Sequence, residues 1–276
     1  MPTNHPSPSP ASDPPPGRPF GDPPALIPPE GFAAECAAIG VEFEGDDLPR
    51  LGKFLAILLE ANAAFNLTAI REPAEAWRRH ILDAMTLLPV LAAIEPAAEG
   101  EPVRVVDVGS GGGVPAIPLA IVMPHLQFTL VESTGKKARF LEAAAGAVGA
   151  GNVRVINDRA ERLGRWGSRE HRECYDAATA RAVGSLAVLS ELLLPLVRVG
   201  GVMLAVKGAK AAEELAEAGK AIALLGGEPT ETVETPTGRI VVVQKVKATP
   251  RDYPRADGEP ASKPIGLGKA SRSRQA

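Results

Sequence analysis

The sequence predicts an α/β protein with a mostly parallel, doubly wound sheet, an antiparallel C-terminal hairpin and an N-terminal helical subdomain. Three observations support this. Apolar β-branched runs alternate with helical patterns from residue 101 onward, a glycine-rich loop joins the first run to its helix, and a Pro-Thr-Gly turn at 236–238 joins the last two runs. Such sheets bind ligands at the carboxyl ends of their parallel strands, so we expect the functional residues there.

The chain before the sheet divides into two parts. Residues 1–30 are so rich in Pro, Ser and Asp that they cannot bury an apolar core, and disorder is expected there. Residues 31–100 contain three helical patterns and are expected to form the helical subdomain. The third pattern runs from about residue 73 to 91 and contains Trp77, Ile81, Leu82, Met85 and Leu88.

Residues 101–248 are expected to form a Rossmann-like domain, and residues 249–276 a basic C-terminal tail. The expected strands are 103–108, 128–131, 153–156, 176–181, 201–208, 230–235 and 239–246. Helical patterns lie between them at 114–117, 135–148, 185–197 and 209–225.

The loop after the first strand has glycines where a nucleotide site needs them. Gly109, Gly111 and Gly113 let the backbone turn sharply and approach a ligand closely. The dinucleotide fingerprint G-x-G-x-x-G does not fit when it is counted from Gly109, because Val114 stands at the position of the third glycine. Counted from Gly111, that position is Ala116, which the fingerprint tolerates. No nucleoside triphosphatase motif occurs. With Asp107 two residues before the first glycine, the loop resembles the first motif of Rossmann-like class I S-adenosylmethionine methyltransferases; another nucleotide site stays open.

Residues after the next two strands suit the rest of a nucleoside. Glu132 follows the second strand, ~20 residues beyond the loop, where an acid can accept both ribose hydroxyls. A solvated charge at a strand end is the alternative. Ala160 and Glu161 follow the third strand and are placed to meet an adenine, while Val114 can pack on its ring. No arginine follows Glu132 within five residues to receive a 2′-phosphate, which argues against NADP.

The end of the fourth strand indicates the kind of methyl acceptor. Enzymes that methylate exocyclic amines of bases commonly carry an Asn/Asp-Pro-Pro-Tyr/Phe motif there, whereas this chain has Thr-Ala-Arg-Ala at 179–182. The Arg181 guanidinium can bind a cofactor carboxylate or an RNA phosphate bidentately, but it cannot act as a base. This suits an acceptor that needs no deprotonation, such as guanine N7.

A polar cluster on a helix before the sheet has two interpretations. Arg79, His80 and Asp83 share a side of the predicted helix, so they can form a polar site beside the cofactor. The blander interpretation is structural: His80 pairs with Asp83, and Asn66 or Thr68 caps a turn. Residue types alone favour the structural one.

Short motifs recur in order from about residue 32 to 267. They are N-L-T at 66–68, H-I-L-D at 80–83, D-V-G-S-G at 107–111, G-V-P-x-I-P-L at 113–119, S-x-G-K-K-x-R-F-L at 133–141, R-x-E at 159–161, R-A at 181–182 and R-D-Y-P-R-x-x-G-x-P-x-x-K-P-I at 251–265. Together they resemble the bacterial 16S ribosomal RNA guanine-N7 methyltransferase family, methyltransferase G of the small subunit, also called glucose-inhibited division protein B. The Pro-rich N-terminus and Asp158, where Ser is more usual, depart from the family pattern.

The resemblance implies S-adenosylmethionine as methyl donor and, as acceptor, N7 of one guanine near the decoding centre, conventionally numbered 527. It also implies cofactor-binding residues in this chain. Together with the loop and strand-end residues discussed above, they are Gly109, Gly111, Val114, Glu132, Ala160, Glu161 and Arg181.

Charge is unevenly distributed along the chain. From residue 239 to 276 nine Lys/Arg and three acids give +6, so the net charge of −3 leaves −9 for the remainder. A basic end of this kind is either a solubilising tail or a contact for a polyanion such as RNA. The residues expected to contact RNA are Lys136, Arg139, Arg251, Arg255 and Lys263, with Arg181 and Lys207 positioning the substrate.

Composition limits the remaining classes. No apolar run reaches the ~18 residues that a membrane span needs. Cys36 and Cys174 are too few for a disulfide framework or a zinc cluster, and no metal is expected. We therefore expect a cytoplasmic monomer that acts on 16S ribosomal RNA or the small ribosomal subunit. The alternatives are a non-catalytic protein that binds S-adenosylmethionine and RNA, and a nicotinamide dehydrogenase, for which no hydride-transfer residues are evident.

Overall fold

The computed structural model describes residues 19–181 and 183–267, and within them seven strands form one sheet. The strands are β1 (Arg104–Val108), β2 (Gln127–Val131), β3 (Val153–Ile156), β4 (Tyr175–Arg181), β5 (Val197–Lys207), β6 (Gly227–Thr235) and β7 (Gly238–Lys245). Their order is β3-β2-β1-β4-β5-β7-β6. The first five are parallel, and β7 is antiparallel to β5 and β6. The mostly parallel sheet with its antiparallel hairpin is confirmed.

Helices cover both faces of this sheet. They are α1 (Phe32–Ala37), α2 (Asp47–Phe65), α3 (Pro73–Ala76), α4 (Asp83–Met85), α5 (Leu88–Ala92), α6 (Ala116–Val122), α7 (Gly135–Ala147), α8 (Ala160–Gly164), α9 (Leu186–Leu193), α10 (Ala211–Leu224) and α11 (Glu259–Ser262). Side chains alternate along each strand, so Val105 packs in the cluster with α2, α6 and α7, and Val106 in the cluster with α9 and α10. Burial on both faces explains the continuous apolar runs of the parallel strands.

The third helical pattern is interrupted where the sequence predicts one run. A π-helical segment, Trp77–Leu82, lies between α3 and α4. Its wider turn buries Trp77, His80, Ile81 and Leu82. Such segments are frequent at functional sites, and here it turns the His80 imidazole into the protein interior.

The sequence predicts disorder for residues 1–30, but residues 19–30 pack against the rest of the protein. Residues 1–18 lie outside the described residues. Phe20 is buried and packs edge-on against Phe140, with ring centroids 5.9 Å apart. The Leu26 N–H donates to the Gly52 carbonyl at 3.1 Å. A Cβ at Gly52 would lie 2.1 Å from the Leu26 carbonyl oxygen, so this glycine within α2 permits the crossing. Two apolar anchors among many prolines are a weak sequence signal, which explains the error.

Residues 249–267 also differ from the expected tail, because they pack against the domain. The buried Arg172 guanidinium donates to the carbonyls of Thr249 and Tyr253, both at 2.7 Å. Asp257 accepts hydrogen bonds from Arg162 and Arg165 at 2.7 and 2.8 Å. The part of the predicted tail from 268 to 276 lies outside the described residues.

Candidate active site

The glycine loop lies at the carboxyl end of β1, where the strand order reverses between β2 and β4. Gly109, Gly111 and Gly113 have φ of 71°, 52° and 83°, a region that favours glycine. A Cβ at Gly109 would lie 2.7 Å from Cγ2 of Val183, and one at Gly113 would lie 2.6 Å from Cδ1 of Ile117. The loop therefore requires glycine for both its conformation and its packing.

Glu132 is held beside this loop by backbone groups. Its Oε2 accepts from the Gly111 N–H at 3.0 Å and its Oε1 accepts from the Thr134 N–H at 2.8 Å. The side chain is buried. Each carboxylate oxygen can accept a further hydrogen bond, so the group has the capacity for two hydroxyl donors such as those of a ribose.

A cavity of about 100 Å³ lies on one side of Gly109. Its lining includes Ala160 and Glu161, two of the residues expected to meet an adenine, whereas Val114, expected to pack on the adenine ring, lines the second cavity described below. Oε1 of Glu161 is already occupied, however, because it accepts from Arg159 Nη2 at 2.7 Å and from the Gly258 N–H at 2.8 Å. The C-terminal segment thus fixes a wall of this cavity, which the sequence did not indicate.

Asp107 lies beneath the loop as a buried carboxyl. Its Oδ1 accepts from the Thr179 hydroxyl at 2.8 Å, and within the described part of the chain its Oδ2 has no hydrogen-bond partner. Burial raises the pKa of Asp107 to about 6. A buried acceptor without a partner is costly, so this oxygen is suited to a ligand donor that reaches the loop.

A second cavity, of about 190 Å³, lies between the loop and the helical part of the chain. Its lining includes Thr68, His80, Val114 and Arg181. Both cavities share Gly109, so together they form a site on two sides of the loop. The structure therefore places all seven predicted cofactor residues around one loop, with Glu132 holding it from below.

The Arg181 guanidinium joins the strand ends to the helical part. Nη1 donates to the Arg79 carbonyl at 2.7 Å and to Oδ2 of Asp83 at 2.9 Å, while Nη2 donates to Nδ1 of His80 at 3.1 Å. The Thr237 hydroxyl of the hairpin also hydrogen-bonds to Asp83. The expected pairing of His80 with Asp83 is wrong, because each of the two side chains binds Arg181 instead. Thr68 does accept from the Ile70 N–H, as the structural interpretation expects, and of the three clustered residues His80 lines the cavity.

His80 is neutral in this environment. Its side chain is buried, and burial together with the Arg181 charge lowers the pKa of His80 to about 4. Nε2 lies 2.9 Å from the Thr68 hydroxyl. The imidazole is thus a fixed hydrogen-bonding link between Arg181 and Thr68 at ordinary pH.

Comparison with known proteins identifies the family. The family model of rRNA small subunit methyltransferase G matches residues 47–242. Ribosomal RNA small subunit methyltransferase G of Sorangium cellulosum is 47% identical over 83% of this chain and 92% of that protein. The protein of the same name from Limosilactobacillus reuteri is 40% identical over 86% and 99%. A SAM-dependent methyltransferase structure from Aquifex aeolicus is 16% identical, with a TM-score of 0.45 over 61% of this chain and 93% of that one.

The chain belongs to the rRNA small subunit methyltransferase G family. This confirms the family that the ordered motifs predict. The segment that matches the family model contains the glycine loop, the residues that Arg181 binds, and every strand except the end of β7. Apart from the Gly258 N–H that donates to Glu161, the site described above lies within this matched segment.

Two of the residues expected to contact RNA, Lys207 and Arg255, are held by carboxylates instead, and a third, Arg251, is exposed but stacks on an aromatic ring. Lys207 is only 9% exposed, and its ammonium donates to the Gly184 carbonyl at 2.6 Å and pairs with Glu214 at 2.7 Å. Arg255 binds the fully buried Glu191. The Arg251 guanidinium lies 4.2 Å from the Trp166 ring centroid. Lys207 and Arg255 thus have structural partners that a sequence cannot reveal.

The RNA candidates without structural partners are also exposed. Lys136 and Arg139 are exposed on α7, which begins directly after the Glu132 loop, and Lys263 is exposed just after α11. Two functional residues were missed by the sequence analysis. Asn62 accepts from the Leu67 and Thr68 N–H groups and so shapes the second cavity, and Thr237 contacts Asp83. Asn62 is a buried polar residue on the apolar face of α2, which is the signal that could have found it.

The described residues also bear on membranes and metals. Within residues 19–181 and 183–267, no helix is both long and apolar enough to cross a membrane. In the same residues no group of three or more His, Cys, Asp or Glu side chains is arranged to hold a metal ion.

Acidification should destabilise this family member through His80. In the unfolded chain the imidazole has its ordinary pKa of 6.5, whereas in the folded protein its pKa is about 4. Between these values the unfolded state binds a proton that the folded state does not, so stability is lost as pH falls through this window. The wild-type free energy of unfolding, relative to that of a His80→Gln variant, should fall by about 2 kcal/mol from pH 7 to pH 5.

Urea unfolding of both proteins at the two pH values measures this difference. The raised pKa of Asp107 has the opposite sign, because its folded form gains a proton first and stability rises as pH falls below about 6. Asp107 is present in both proteins, so its contribution cancels. A difference that does not change with pH would contradict the buried, neutral His80.

Proposed function

We propose that the protein transfers a methyl group from S-adenosylmethionine to N7 of a guanine in 16S ribosomal RNA, the one conventionally numbered 527. The observation that carries this proposal is the glycine loop of a methyltransferase G family member, with Glu132 hydrogen-bonded to it and a cavity on each side of Gly109. When bound, S-adenosylmethionine supplies an electrophilic methyl group.

The residues around the loop fit this cofactor. The orphaned Oδ2 of Asp107 and the remaining acceptor sites of Glu132 suit the amine and hydroxyl donors of an aminoacyl nucleoside. Ala160 and the backbone beside Glu161 line the adenine side, and Val114 and Arg181 line the other side. In this proposal these residues bind and orient the cofactor.

The chain needs no general base for this reaction. Guanine N7 has a free lone pair, so no residue has to remove a proton. His80 and Arg181 hydrogen-bond to each other, and neither is arranged as a base for the substrate. The rate is then expected from alignment of donor and acceptor and from displacement of water by the bound substrates.

The RNA reaches this site as an unstacked base. We place the helical residues 31–100 and the exposed basic side chains of Lys136, Arg139, Arg251 and Lys263 along its path, because phosphates bind exposed cations. Arg255 and Lys207 are left out of this path because carboxylates already hold them. In this proposal the protein acts in the cytoplasm as a monomer.

Labelled methyl transfer tests the proposed function. Purified protein and labelled S-adenosylmethionine are mixed with 16S ribosomal RNA or small subunits from cells that lack this protein. We expect one N7-methylguanine at the predicted position. Transfer to another atom or base, or binding without transfer, would refute the assignment, the latter in favour of the non-catalytic alternative.

A pair of glycine variants links transfer to the loop. Gly109→Ala should weaken binding of S-adenosylhomocysteine in calorimetry, because the new methyl strains a positive φ and meets Val183. Gly151→Ala is the matched control, since its Cβ would meet nothing within 4 Å. Equal binding by both variants would place the cofactor elsewhere.

A further inference from the structure

Thr68 lies at the boundary between the helical part and the glycine loop. It follows α2, where the Leu67 and Thr68 N–H groups donate to Oδ1 of Asn62 at 2.8 and 2.9 Å. A Cβ at Gly112 would lie 3.4 Å from the Leu67 carbonyl oxygen, so this segment rests directly on the loop. Thr68 is half-buried and lines the cavity of about 190 Å³ that also holds Arg181.

The contact with Arg181 assigns one tautomer to the His80 imidazole. A guanidinium only donates, so Arg181 Nη2 donates to His80 Nδ1, which is therefore an unprotonated acceptor. The imidazole proton is on Nε2, and it is donated to the Thr68 hydroxyl at 2.9 Å. The opposite tautomer would place two donors against each other at 3.1 Å.

Thr68 Oγ1 also accepts a second hydrogen bond. The Ile70 N–H donates to it at 3.1 Å. A hydroxyl oxygen has two acceptor sites and one proton. Because His80 and Ile70 occupy both acceptor sites, the hydroxyl can only donate, and the cavity that Thr68 lines is where an acceptor can meet it.

A donor at this position matches one feature of the methyl acceptor. N7 and O6 of guanine are both acceptors on the same edge of the base, whereas adenine pairs the same N7 with an N6 amine, which donates. When N7 faces the methyl donor, the group at C6 therefore faces the neighbouring wall of the cavity. That group is O6 in guanine and the N6 amine in adenine. N7 alone does not distinguish the two purines, so a neighbouring donor is needed for the choice.

We propose that the Thr68 hydroxyl donates to O6 of the target guanine and makes the site select guanine over adenine. This inference rests on the proposed function, since it names the contact that recognises its substrate. Arg181 and His80 act through Thr68 as positioning residues: they hold its two acceptor sites filled, so that only its proton is presented.

The methionine carboxylate of the cofactor is the other acceptor that could reach this cavity. Arg181 lines the same cavity and carries the charge that suits a carboxylate. A neutral hydroxyl from outside the sheet is better matched to the neutral O6 of a base. If Thr68 binds O6, its removal should reduce methyl transfer to guanine. If it binds the cofactor carboxylate, its removal should reduce affinity for the cofactor.

Thr68→Val and Thr68→Ser are measured as full-length proteins with 16S ribosomal RNA. Valine keeps the branched shape and removes the donor, so kcat/KM for methyl transfer should fall about 10- to 100-fold, the effect of an unsatisfied buried acceptor. Serine keeps the hydroxyl and should recover most of the activity. Affinity for S-adenosylhomocysteine should stay within about twofold of wild type in both variants, because the proposed partner is the base.

Thr232→Val is the matched control. Thr232 is exposed on β6 and is not among the residues that line the cavity, so the same substitution there should leave kcat/KM unchanged. Thermal unfolding of all variants reports whether Thr68→Val is folded. Because valine also removes an acceptor for His80 and Ile70, activity on guanine alone cannot separate recognition from local structure.

A substrate without O6 makes that separation. RNA with 2-aminopurine at the target position keeps N7 but has hydrogen at C6, so it offers Thr68 no acceptor. On this RNA the ratio of wild type to Thr68→Val should fall to about 1, while on guanine it stays about 10 to 100. A structural role of Thr68 would give the same ratio on both substrates and would overturn the inference.

Two further outcomes are diagnostic. A parallel loss of S-adenosylhomocysteine affinity in Thr68→Val would assign the hydroxyl to the cofactor carboxylate and overturn the contact with O6. Absence of transfer by the wild-type protein to the guanine RNA would instead overturn the proposed function, and the wild-type reaction reports that separately.

Discussion

Replacement of Arg181 by alanine is expected to reduce methyl transfer by about 10²- to 10³-fold, the scale of a misplaced reacting group or a lost charged donor. The guanidinium lines the cavity and fixes His80, Asp83 and the Arg79 carbonyl at once. Its loss also leaves Asp83, with a side chain only 10% exposed, without its cation. The stability cost should be on the order of 3 kcal/mol, because Arg181 itself is 22% exposed.

Arg181→Lys is the informative companion variant. Lysine can still pair with Asp83, so most of the stability should return. Its single ammonium cannot bind Asp83 and His80 together as the planar guanidinium does, so the activity should stay low. Transfer of labelled methyl to small-subunit RNA and urea unfolding measure the two effects separately. Full activity in Arg181→Ala would exclude Arg181 from both cofactor binding and substrate positioning.

Replacement of Arg255 by alanine is expected to destabilise the protein by about 3–5 kcal/mol, the range for breaking a buried ion pair. The Glu191 side chain is fully buried, and its Oε1 accepts from the Arg255 N–H at 2.9 Å and from Arg255 Nε at 2.8 Å. Removing the guanidinium leaves that carboxylate without its charged partner. Urea unfolding measures the loss of stability. Without urea, where the variant is still folded, its affinity for RNA should be close to that of the wild type.

Lys263→Ala provides the contrast. Lys263 is exposed just after α11, so its removal should leave unfolding unchanged within about 0.5 kcal/mol and weaken RNA binding in a salt-dependent way. If Arg255→Ala were as stable as wild type but bound RNA less tightly, the sequence-based assignment of Arg255 to RNA would be right and the structural one wrong.

The sheet could be predicted because its signals are local. β1, β2 and β3 are short, mostly apolar runs followed by a polar residue or glycine, and their alternation with helices predicts parallel pairing. The packing of residues 19–30 and 249–267 could not be predicted in the same way. It depends on single contacts between distant residues, such as Phe20 with Phe140 and Arg172 with the Thr249 carbonyl, in segments that composition makes look unstructured.

The candidate site divides along the same line. The glycine loop and Glu132 follow from strand ends, and the Gly111 N–H donates to Glu132 in the structure. The partners of Lys207 and Arg255 could not be foreseen, because a cation in a sequence looks the same whether it faces solvent or a buried carboxylate. The direction of the Thr68 hydroxyl depends on its contacts with His80 and Ile70 and on the contact of His80 with Arg181. No sequence pattern indicates these contacts.

The hydrogen bond from the Gly258 N–H to Glu161 has a consequence for biosynthesis. Translation proceeds from the amino end, so Gly258 is polymerised after all seven strands of the sheet. A nascent chain can form the β1 loop while this wall of the cavity of about 100 Å³ is still missing. This wall of the cavity can therefore form only after the complete sheet has been synthesised.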